Sequence, residues 1–543
     1  MEVLHKNRLH VDSFVRDYLN REKESASFFD YGFTPEEINR RFLEIDKKKD
    51  MYQKAALKKH LSTYNQSFLY HKDALVELDK LDDDRAVMVV GGQQAGLLTG
   101  PFYTISKAIT IIKEAKKQEE WLQVPVIPVF WIAGEDHDWE EINHIYLPGN
   151  ETVNKYTYEG VWKPGASVSE QDIDEETFEH WWETILHACG ETEYTSDIYK
   201  IVRHLADRSR TFSDFFGETM RWLFRGTGLV MLDAHSPELR KLESHTFSEL
   251  FSRQFEVQEA VNKGITRRKQ STYHVPQGLP EQDSIHLFYH KSMERTLLYS
   301  YDDGHVADKN HKHLFNKGDV LNEIHTSPER FSTNVFTRPI VQEKLLPVLS
   351  FVAGPGEINY WSLLQPLFHM TSSKVPPVLP RFEFTCLSRD VQSIMEREKL
   401  SIDECLEGNI LNKVEAILQH AKKVNGHQMY ENVLDSMENG HMAMREAWKS
   451  LAPSEESYGE TNWHIVKSEL KKFANKIDTF QEKQEQERVK RLMKVHHFIR
   501  PKEKPQERVL NVIWFINRYG SDFVWELLDQ DVERNRPHIV VKL

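Results

Sequence analysis

Apolar residues in the first eighty positions recur at intervals of three or four, which places them on one face of a helix. Ile38, Phe42 and Ile45 follow this spacing directly after Thr34, a hydroxyl cap, and a proline in the first turn. Acidic residues then occupy the positive end of the helix dipole. The pattern predicts that residues 1–80 form a helical segment that packs on the rest of the protein.

The pattern changes at residue 85, where the apolar residues form short continuous runs. Residues 85–90 and 124–133 are two such runs, which are typical of buried strands. Between them, residues 103–118 carry apolar side chains on one helical face and lysines at the end. A strand, a helix and a second strand in close succession indicate a βαβ unit and therefore a parallel sheet.

Two further runs, residues 228–233 and 346–352, extend the series of predicted strands. Residues 150–200 and 255–325 interrupt the series and are rich in polar residues, histidine, glycine and proline. We therefore predict an α/β fold with a doubly wound, Rossmann-type parallel-sheet core over residues 81–387. The two interrupting segments are expected to be connecting insertions.

From residue 388 onward the apolar positions follow two heptad-like seams. The first seam comprises Leu411, Val414, Leu418 and Ala421, and the second comprises Trp463, Val466, Leu470, Phe473, Ile477 and Phe480. Pro453 and Gly459 fall in the polar break between them. Two such seams predict an antiparallel α-helical coiled-coil arm over residues 388–500, and ordinary amphipathic core helices are the alternative. Residues 501–543 are expected to form helices that return to the core.

Composition and charge limit the classes of function. The chain has 543 residues with 84 acidic and 70 basic side chains, a formal net charge of −14. An acidic chain is a poor candidate for a non-specific nucleic-acid binder. No apolar run reaches the roughly 18 residues of a membrane span, and the first residues lack the apolar core of a secretory signal. We expect neither nucleic acid nor a membrane among its partners.

The number and spacing of the cysteines indicate the cellular compartment. Cys189, Cys386 and Cys405 are too few for a disulfide framework, and none belongs to a CxxC pair. The sequence also lacks an HExxH motif and clustered cysteine ligands. We therefore expect a cytoplasmic protein without a metal site, and no cysteine nucleophile in the candidate motifs.

A glycine-rich loop after the first predicted strand is the first candidate binding element. Such a loop presents backbone N–H groups and a helix N-terminus to an anion. Leu97-Leu98 replaces the Lys-Ser/Thr pair of a Walker A loop, which rules out that kind of phosphate site. A tight connection without a ligand is the alternative. The substrate-binding candidates here are Gly92, Gln93, Gln94, Gly96, Thr99 and Tyr103.

The densest group of chemically active residues follows the second predicted strand. It comprises Glu135, Asp136, His137 and Asp138, the catalytic candidates. Clustered carboxylates can hold an ammonium group or orient a histidine, and His137 is the candidate acid or base. The flanking acids are expected to favour its protonated form. The alternative is a solvated acidic loop that begins a helix, and a metal is less favoured.

Three later segments contribute further candidate substrate contacts. Asp233 ends another predicted strand, where an acid can accept hydroxyl groups, and a helix cap is the alternative. Arg338 can form a bidentate pair with a carboxylate, and a structural arginine beside a turn is the alternative. Glycines around Pro355 allow the backbone to approach a ligand. The candidates from these segments are Asp233, His235, Asn334, Arg338, Gly354, Gly356, Glu357 and Tyr360.

A second anion site is predicted at the base of the arm. Thr385 is a candidate N-cap for the first arm helix, and Arg491 and Lys494 lie on the returning helix. In an antiparallel hairpin these cations come close to that helix start, where they could hold a nucleotide. A solvated basic helix face is the alternative, and the pattern slightly favours it.

Several long motifs occur in one order along the chain: VVGGQQAGLLTGPFYTISKAI, FWIAGEDHDWEEI, SxNVxxRP, VAGPGEINYW and QERVLNVIWFINRYG. Together they resemble the BshC family, the cysteine ligases of bacillithiol biosynthesis, over essentially the whole chain. The resemblance implies a Rossmann-type core related to class I nucleotidyl-transferring enzymes, with connecting insertions, a helical coiled coil and a homodimer. It also implies the last step of bacillithiol synthesis, in which L-cysteine is joined to the amine of glucosaminyl-malate.

The resemblance further implies ADP bound near the coiled coil, away from the main cleft. ATP or ADP is therefore a candidate ligand, and no other cofactor is predicted. The residues assigned to this nucleotide site are Phe384, Thr385, Cys386, Arg491, Lys494 and Arg508.

The implied chemistry is amide formation between a carboxyl group and an amine. A carboxylate needs activation, most simply by ATP, but the chain has neither a Walker A loop nor a complete KMSKS-type lysine loop. The sequence therefore leaves the activation step open. We expect residues 91–107 to receive an anionic group, either a malate carboxylate or a phosphate. Glu135, Asp136 and Asp138 are expected to hold the amine of cysteine or of the sugar.

Two other functions are alternatives. One is a nucleotidyl transferase that forms an aminoacyl-adenylate and passes it to another acceptor. The other is a non-catalytic scaffold that recruits partners with its coiled-coil arm. The acid–histidine cluster argues against a pure scaffold, because buried charges without a task destabilise a protein.

Overall fold

The computed structural model describes residues 1–6, 11–149, 152–281, 283–301, 305–419, 424–532 and 538–543. These residues divide into two compact units. The first contains Met1–Gly149, Val153–Leu387 and Lys504–Leu543, and the second contains Ser388–Glu503 together with Thr152. The main chain therefore leaves the first unit after residue 387 and re-enters it at residue 504.

The strands of the described residues all lie in the first unit. They are β1 (Glu2–Lys6), β2 (Val87–Gln93), β3 (Val126–Ile132), β4 (His144–Pro148), β5 (Val153–Thr157), β6 (Val230–Asp233), β7 (Ser284–Lys291), β8 (Glu294–Ser300), β9 (His305–Asp308), β10 (Leu314–Asn316), β11 (Phe331–Thr333), β12 (Val348–Ala353), β13 (Val378–Pro380), β14 (Glu383–Leu387) and β15 (His538–Lys542).

The helices occur in both units, with α17 to α21 in the second. They are α1 (Ser13–Leu19), α2 (Lys23–Ala26), α3 (Pro35–Lys47), α4 (Lys54–Gln66), α5 (Lys72–Asp79), α6 (Tyr103–Leu122), α7 (Trp139–Ile142), α8 (Glu175–Cys189), α9 (Thr195–Asp207), α10 (Phe212–Leu223), α11 (Pro237–Ser252), α12 (Gln254–Lys269), α13 (Lys317–Thr326), α14 (Arg338–Leu345), α15 (Pro355–Trp361), α16 (Gln365–Met370), α17 (Arg389–Glu398), α18 (Ile402–Glu407), α19 (Ile410–Gln419), α20 (Gly426–Leu451), α21 (Glu456–Ile499), α22 (Ile513–Tyr519) and α23 (Phe523–Asp529). No helix in this part of the chain is long and apolar enough to span a membrane.

A five-stranded parallel sheet forms the core of the first unit, in the order β13-β12-β2-β3-β6. Its strands are continuous apolar runs, as expected for a sheet that is covered by helices, and β3 is buried along its whole length. Helix α6 packs against β2 and β3. The predicted Rossmann-type parallel core is confirmed.

The strand order creates a crevice in the middle of this sheet. From β2 the chain crosses to β3 and then to β6 on one side, whereas β12 pairs with β2 on the other side. Connections that diverge in this way leave a gap at the carboxyl ends of the strands, where open α/β sheets bind ligands. The glycine-rich loop, the acid–histidine cluster and the glycines around Pro355 all follow strands at this edge.

Two long insertions interrupt the sheet. The first lies between β3 and β6 and contains the antiparallel β4–β5 hairpin followed by α8 to α10. The second lies between β6 and β12 and contains an antiparallel sheet in the order β10-β9-β8-β7-β11. The second sheet was not predicted, because its strands are short and rich in histidine and charged residues.

A third sheet joins the two ends of the chain and corrects two expectations. Strand β1 pairs antiparallel with β15, which pairs parallel with β14. The start of the chain is therefore a strand rather than part of a helical segment, and the C-terminal segment contains a strand as well as helices. The side chains of β1 are mostly half-buried, so pairing with β15 rather than a strong apolar pattern defines this strand.

The second unit contains the predicted antiparallel coiled coil. Arg445 of α20 lies 3.0 Å from Glu460 of α21, and Gly426 N–H donates to Asp478 at 2.9 Å. The paired positions thus run in opposite directions along the two helices, as an antiparallel hairpin requires. The break lies between α20 and α21 at residues 452–455, so Gly459 belongs to α21 and not to the break.

The buried seam of α21 differs from the predicted one. Trp463 is 2% exposed and Ala474 is 7% exposed, whereas Phe473 and Phe480 are 65% and 61% exposed. An α-helix turns once every 3.6 residues, so a seam counted with a 3.5-residue period drifts away from the buried face. Two aromatic residues of the predicted seam therefore face solvent in this unit.

The first predicted seam belongs to α19, where Val414 is buried. Its last member, Ala421, lies outside the described residues. The hairpin partner of α21 is the longer helix α20, which the sequence did not indicate. Its apolar positions include several methionines and do not repeat with regular heptad spacing, so the heptad pattern is weak.

Candidate active site

A cavity of about 620 Å³ opens at the carboxyl ends of β2, β3 and β12, where the strand order predicts a binding crevice. Strand ends, α6, α15 and two later segments contribute to its lining. The lining residues are Gly92, Gln93, Gln94, Tyr103, Lys107, Trp131, Ala133, Glu141, Val335, Arg338, Gly354, Gly356, Glu357, Tyr360, Arg381 and Arg508. The cavity thus brings together nine substrate-binding candidates from three separate segments of the sequence.

The floor of the cavity carries a buried lysine, Lys107 of α6, which is 1% exposed. Its ammonium donates to the carbonyl oxygen of Gly92 at 2.6 Å, to Gln93 Oε1 at 3.2 Å and to Glu357 Oε2 at 2.6 Å. Burial lowers the pKa of Lys107, and the Glu357 carboxylate opposes that shift. Lys107 therefore ties the glycine-rich loop to the start of α15.

Two arginines in the lining are oriented by neighbouring side chains. Arg381 is buried and pairs with Glu507, its Nη1 lying 2.8 Å from Oε2. The guanidinium carbon of Arg338 lies 5.9 Å from the ring centroid of Trp131 and 5.4 Å from that of Phe351. Both cations are thus held in fixed positions at the wall of the cavity.

The net charge of the lining favours an anionic ligand. Arg508 is exposed and completes a set of four lining cations with Lys107 and the two oriented arginines. Only Glu141 and Glu357 are acidic among the described lining residues. A cavity with two excess positive charges concentrates anions and still offers two carboxylates to an ammonium group.

The glycine-rich loop is packed tightly against its neighbours. A Cβ atom on Gly92 would lie 2.5 Å from the carbonyl oxygen of Trp131, so only glycine fits where β2 passes β3. Gly96 and Thr99 do not line the cavity, and Thr99 is fully buried. Asn511 donates from Nδ2 to two carbonyl oxygens of this loop at 3.0 and 2.6 Å. These residues shape the loop rather than the cavity surface.

The acid–histidine cluster lies beside the cavity and not in its lining. Gln94, a lining residue, donates from Nε2 to Asp136 Oδ2 at 2.7 Å and to Glu141 Oε2 at 2.6 Å. Asp136 also accepts the backbone N–H of His137 at 2.7 Å. Glu135 is buried, and its Oε2 has no hydrogen-bond partner within the described ranges. The side-chain amide of Gln94 connects the cluster to the cavity.

The pKa of His137 shifts in the direction opposite to the one expected from its sequence neighbours. Burial and the nearby Arg295 lower its pKa, and the carboxylates of Asp136 and Asp138 do not cancel this shift. Arg295 Nη1 lies 3.1 Å from His137 Nδ1. The flanking acids do favour the protonated form, as expected, but burial and Arg295 together outweigh them, so the net shift of the His137 pKa is downward.

Three other candidates, Asp233, His235 and Asn334, do not line the cavity. Asp233 is buried and accepts Ser169 Oγ at 2.7 Å and the backbone N–H of His235 at 2.9 Å. Burial raises the pKa of the Asp233 carboxyl. Asn334 Oδ1 accepts the backbone N–H groups of Phe336 and of the next residue at 3.0 and 3.1 Å. Asp233 and Asn334 thus organise the loops in which they lie.

The residues of the predicted nucleotide site belong to both units. In the first unit, the backbone N–H groups of Phe384 and Cys386 donate to Glu507 Oε2 at 3.2 Å and to Gln506 Oε1 at 2.8 Å. Thr385 lies inside β14 between them, so it is not the expected N-cap, and a serine precedes α17 instead. Strand β14 continues to Leu387 because it pairs with β15 along its whole length. This pairing involves a distant segment, so the local sequence does not indicate it.

In the second unit, the predicted nucleotide-binding cations are paired with acids of that unit. Arg491 Nη2 lies 2.9 Å from Glu398, and Lys494 Nζ lies 2.7 Å from Asp390. A phosphate group would have to compete with these carboxylates for the same cations. On this face of α21, the positive charges of Arg491 and Lys494 are therefore neutralised by neighbouring carboxylates.

Besides Glu141 of the acid–histidine loop, four charged residues of the site were not identified from the sequence. They are Lys107, Arg295, Arg381 and Glu507. Lys107 could have been identified from the sequence, because it is flanked by apolar positions on the buried face of a helix. A buried lysine without a partner is rare, so this position indicates a charged partner or a ligand. The other three come from segments distant in sequence, and only the fold brings them to the strand ends.

These features define a Rossmann-like α/β enzyme with a coiled-coil unit. They are the parallel sheet, the charged cavity at the carboxyl ends of its strands, and the helical hairpin. Family models for bacillithiol biosynthesis BshC match this chain: the N-terminal Rossmann-like domain over residues 1–382 and the C-terminal coiled-coil domain over residues 384–543. The chain belongs to the BshC family of bacillithiol biosynthesis, and it is a ligase of that family.

Individual relatives agree with the family match. A protein of Halalkalibacterium halodurans is 35% identical over 530 residues, which cover 97% of this chain and 97% of the relative. A protein of Bacillus cereus is 33% identical over 529 residues, which cover 97% of this chain and 98% of the relative. Both are named "Putative cysteine ligase BshC".

Proposed function

We propose that this protein joins L-cysteine to the amine of glucosaminyl-malate through an amide bond and so completes bacillithiol. The main support for this proposal is the cavity at the carboxyl ends of β2, β3 and β12, which is lined by four cations and two carboxylates. The reaction needs both signs of charge, because malate is anionic and both substrates carry amines. Relatives named as cysteine ligases support the same reaction.

The cationic side of the cavity is the proposed subsite for the malate carboxylates. Arg338 and Arg508 line this side, and Lys107 adds a buried positive charge at its floor. Arginine pairs with carboxylates through two parallel hydrogen bonds, which fixes the orientation of the bound group. The glycine-rich loop allows the substrate to approach the backbone of β2 at this point.

The acidic side is the proposed subsite for the reacting amines. Asp136 and Glu141 share the side-chain amide of Gln94, so their carboxylates lie close together at one edge of the cavity. A pair of carboxylates stabilises an ammonium group before it loses a proton to become a nucleophile. Glu135 and Asp138, from the same loop, are proposed to add to this negative charge.

The direct test is a mass-spectrometric assay of the pure protein with glucosaminyl-malate and cysteine, with and without ATP and magnesium. Bacillithiol that forms only with ATP supports a ligase, and AMP or ADP among the products identifies the activation step. No bacillithiol under any condition, from a folded protein, contradicts the proposal. Cysteine-dependent exchange of pyrophosphate into ATP without the sugar would favour the aminoacyl-adenylate alternative.

The anion subsite is tested by replacing Arg338 or Arg508 with glutamine. Each loses a charge-assisted hydrogen bond worth about 1.5–3 kcal/mol, so the KM for glucosaminyl-malate should rise about tenfold to a hundredfold. The KM for cysteine should change little. Arg210→Gln is the matched control, because the Arg210 side chain is 85% exposed and lies outside the cavity lining. Equal KM values for all three variants would contradict the subsite.

We also propose that the protein is a homodimer joined through its coiled-coil unit. Both long helices expose an apolar stripe: Met429, Val433, Met437, Met444 and Leu451 on α20, and Tyr458, Ile465, Phe473 and Phe480 on α21. The members recur at four, seven or eight residues, so each stripe keeps to one helical face. We infer that the two stripes together form one apolar face of the hairpin. A second copy, with the same stripes, is the proposed occupant of this face.

Analytical ultracentrifugation tests the dimer. Replacing Phe473 and Phe480 together with serine should shift the protein from dimer to monomer, because both rings lie in the exposed stripe. Lys471→Ser is the matched control, since Lys471 is exposed on the other side of α21. A wild-type monomer, or a dimer unaffected by the paired substitution, would contradict the proposed interface.

We also propose a nucleotide ligand and a cellular location for the reaction. ATP or ADP is the proposed nucleotide ligand, in agreement with the need to activate a carboxyl group. The cytoplasm is the proposed location of the reaction, because all three cysteines are free and buried, as in proteins of reducing compartments.

A further inference from the structure

Arg295 reaches the acid–histidine cluster from β8 of the second insertion. Its Nε donates to Ser332 Oγ at 3.1 Å, and its Nη2 donates to the carbonyl oxygen of Thr333 at 2.9 Å. The guanidinium carbon lies 3.7 Å from the ring centroid of Phe288. Two hydrogen bonds and one stacked ring therefore fix the orientation of the third nitrogen, Nη1, which faces His137.

The contact with Arg295 determines which nitrogen of His137 carries hydrogen. A guanidinium group has only N–H donors and stays protonated at neutral pH, so the imidazole nitrogen facing it must accept. The facing nitrogen is Nδ1, at 3.1 Å. A neutral imidazole with an acceptor at Nδ1 carries its hydrogen on Nε2.

The other charged groups around His137 agree with a neutral ring. Asp136 Oδ1 is more distant than the guanidinium, at 3.9 Å from Nδ1, and Asp138 lies on the same loop. On the insertion side, Arg295 and His290 face the cluster, and burial lowers the pKa of His290 well below its usual range. The two carboxylates favour a protonated His137, and burial together with Arg295 outweighs them.

His137 lies in the loop that adjoins the cavity, next to a residue that contacts the cavity lining. Its side chain is 40% exposed, and the neighbouring Asp136 shares the amide of the lining residue Gln94. A neutral ring with a fixed N–H group is a poor base, because its free nitrogen is occupied by the guanidinium. It is a good hydrogen-bond donor to an oxygen that gains negative charge.

We propose that Arg295 is a positioning residue that holds His137 as the neutral Nε2–H tautomer, and that His137 donates from Nε2 to the reacting carbonyl oxygen of the substrate. The role rests on the proposed function, since that oxygen gains negative charge when an amine attacks an activated carboxyl. It changes the expected task of His137 from proton abstraction to charge stabilisation. It also gives the second insertion a part in the reaction.

Two substitutions of His137 distinguish a donor from a base. His137→Gln keeps an N–H donor near the position of Nε2, whereas His137→Ala removes it. A donor role predicts that kcat for bacillithiol formation falls by about 10²–10³ in the alanine variant and much less in the glutamine variant. Equal losses in both variants, measured beside an active wild type, would overturn the donor role.

A second measurement reads the tautomer without using activity. Nitrogen NMR of the full chain with ¹⁵N-labelled histidine is compared with the same spectrum of His137→Gln, so the signal that disappears belongs to His137. At about pH 7 we expect a protonated Nε2 and an unprotonated Nδ1. A doubly protonated ring, or hydrogen on Nδ1, would overturn the tautomer assignment.

Arg295 is tested in the same spectrum. Arg295→Gln should raise the pKa of His137, whereas Arg295→Lys keeps a donor and a positive charge and should preserve the tautomer. An unchanged His137 titration in Arg295→Gln would overturn the positioning role. If the wild type forms no bacillithiol, the proposed function fails, and the NMR result still decides the tautomer separately.

Discussion

Replacing Lys107 with methionine removes the buried cation at the floor of the cavity and leaves Glu357 without its closest partner. Breaking a buried ion pair costs about 3–5 kcal/mol. The Glu357 side chain is 24% exposed, so water relieves part of the loss, and we expect about 3 kcal/mol. The carbonyl oxygen of Gly92 and the Gln93 side chain also lose a donor. The loss should appear in urea unfolding of the full chain followed by tryptophan fluorescence.

A double-mutant cycle attributes that loss to the pair. Glu357→Gln keeps the acceptor for the N–H of Gly354 and removes the charge. The Lys107→Met, Glu357→Gln double variant should therefore be less destabilised than the two single losses added together, by at least about 1 kcal/mol. Lys116→Met is the matched control, since Lys116 is an exposed residue of the same helix. Additive losses, or a Lys107→Met variant as stable as the control, would refute the reasoning.

Three further substitutions test the fold and the site. Burial raises the pKa of Glu243 to about 7 despite Arg240, so the folded state binds a proton that the unfolded state releases between about pH 4.5 and 7. Stability should fall by up to about 3 kcal/mol across that window, and Glu243→Gln should flatten the fall in thermal unfolding; parallel profiles would contradict this. Gly92→Ala should abolish bacillithiol formation and lower the melting temperature, because the Cβ would collide with the backbone of Trp131; wild-type activity would contradict the close packing. Alanine at any of the three cysteines should leave turnover largely intact, since all are buried and burial raises the pKa of each thiol; complete loss in a folded variant would identify a nucleophile.

The central sheet could be predicted because each of its strands is recognisable from a short stretch of sequence. Each buried parallel strand is a continuous apolar run, and a glycine or an acid follows it where the strand ends. Parallel strands end at one edge, so nine of the predicted substrate contacts meet in the cavity. Strand β1 and the antiparallel sheet of the second insertion have no such run, and pairing with distant segments defines them.

The charged groups of the site were harder to predict. Arg295 and Arg381 carry no local pattern that distinguishes them from surface arginines, and their positions depend on contacts with residues far away in sequence. The net direction of the His137 pKa shift was not predicted for the same reason. Its sequence neighbours are acids, whereas its closest charged neighbour in space is the guanidinium of Arg295.

The return of the chain to the first unit has a consequence for the order of folding during synthesis. Glu507 holds Arg381 at the cavity wall, and Asn511 clamps the glycine-rich loop through two carbonyl oxygens. A ribosome that has made the whole parallel sheet must still make the helical hairpin before either residue exists. The nascent sheet therefore carries an open, unclamped cavity for more than a hundred residues of elongation, roughly 5–20 seconds or more at about 5–20 residues per second. Binding of an anionic ligand by nascent chains should begin only after these last contacts can form.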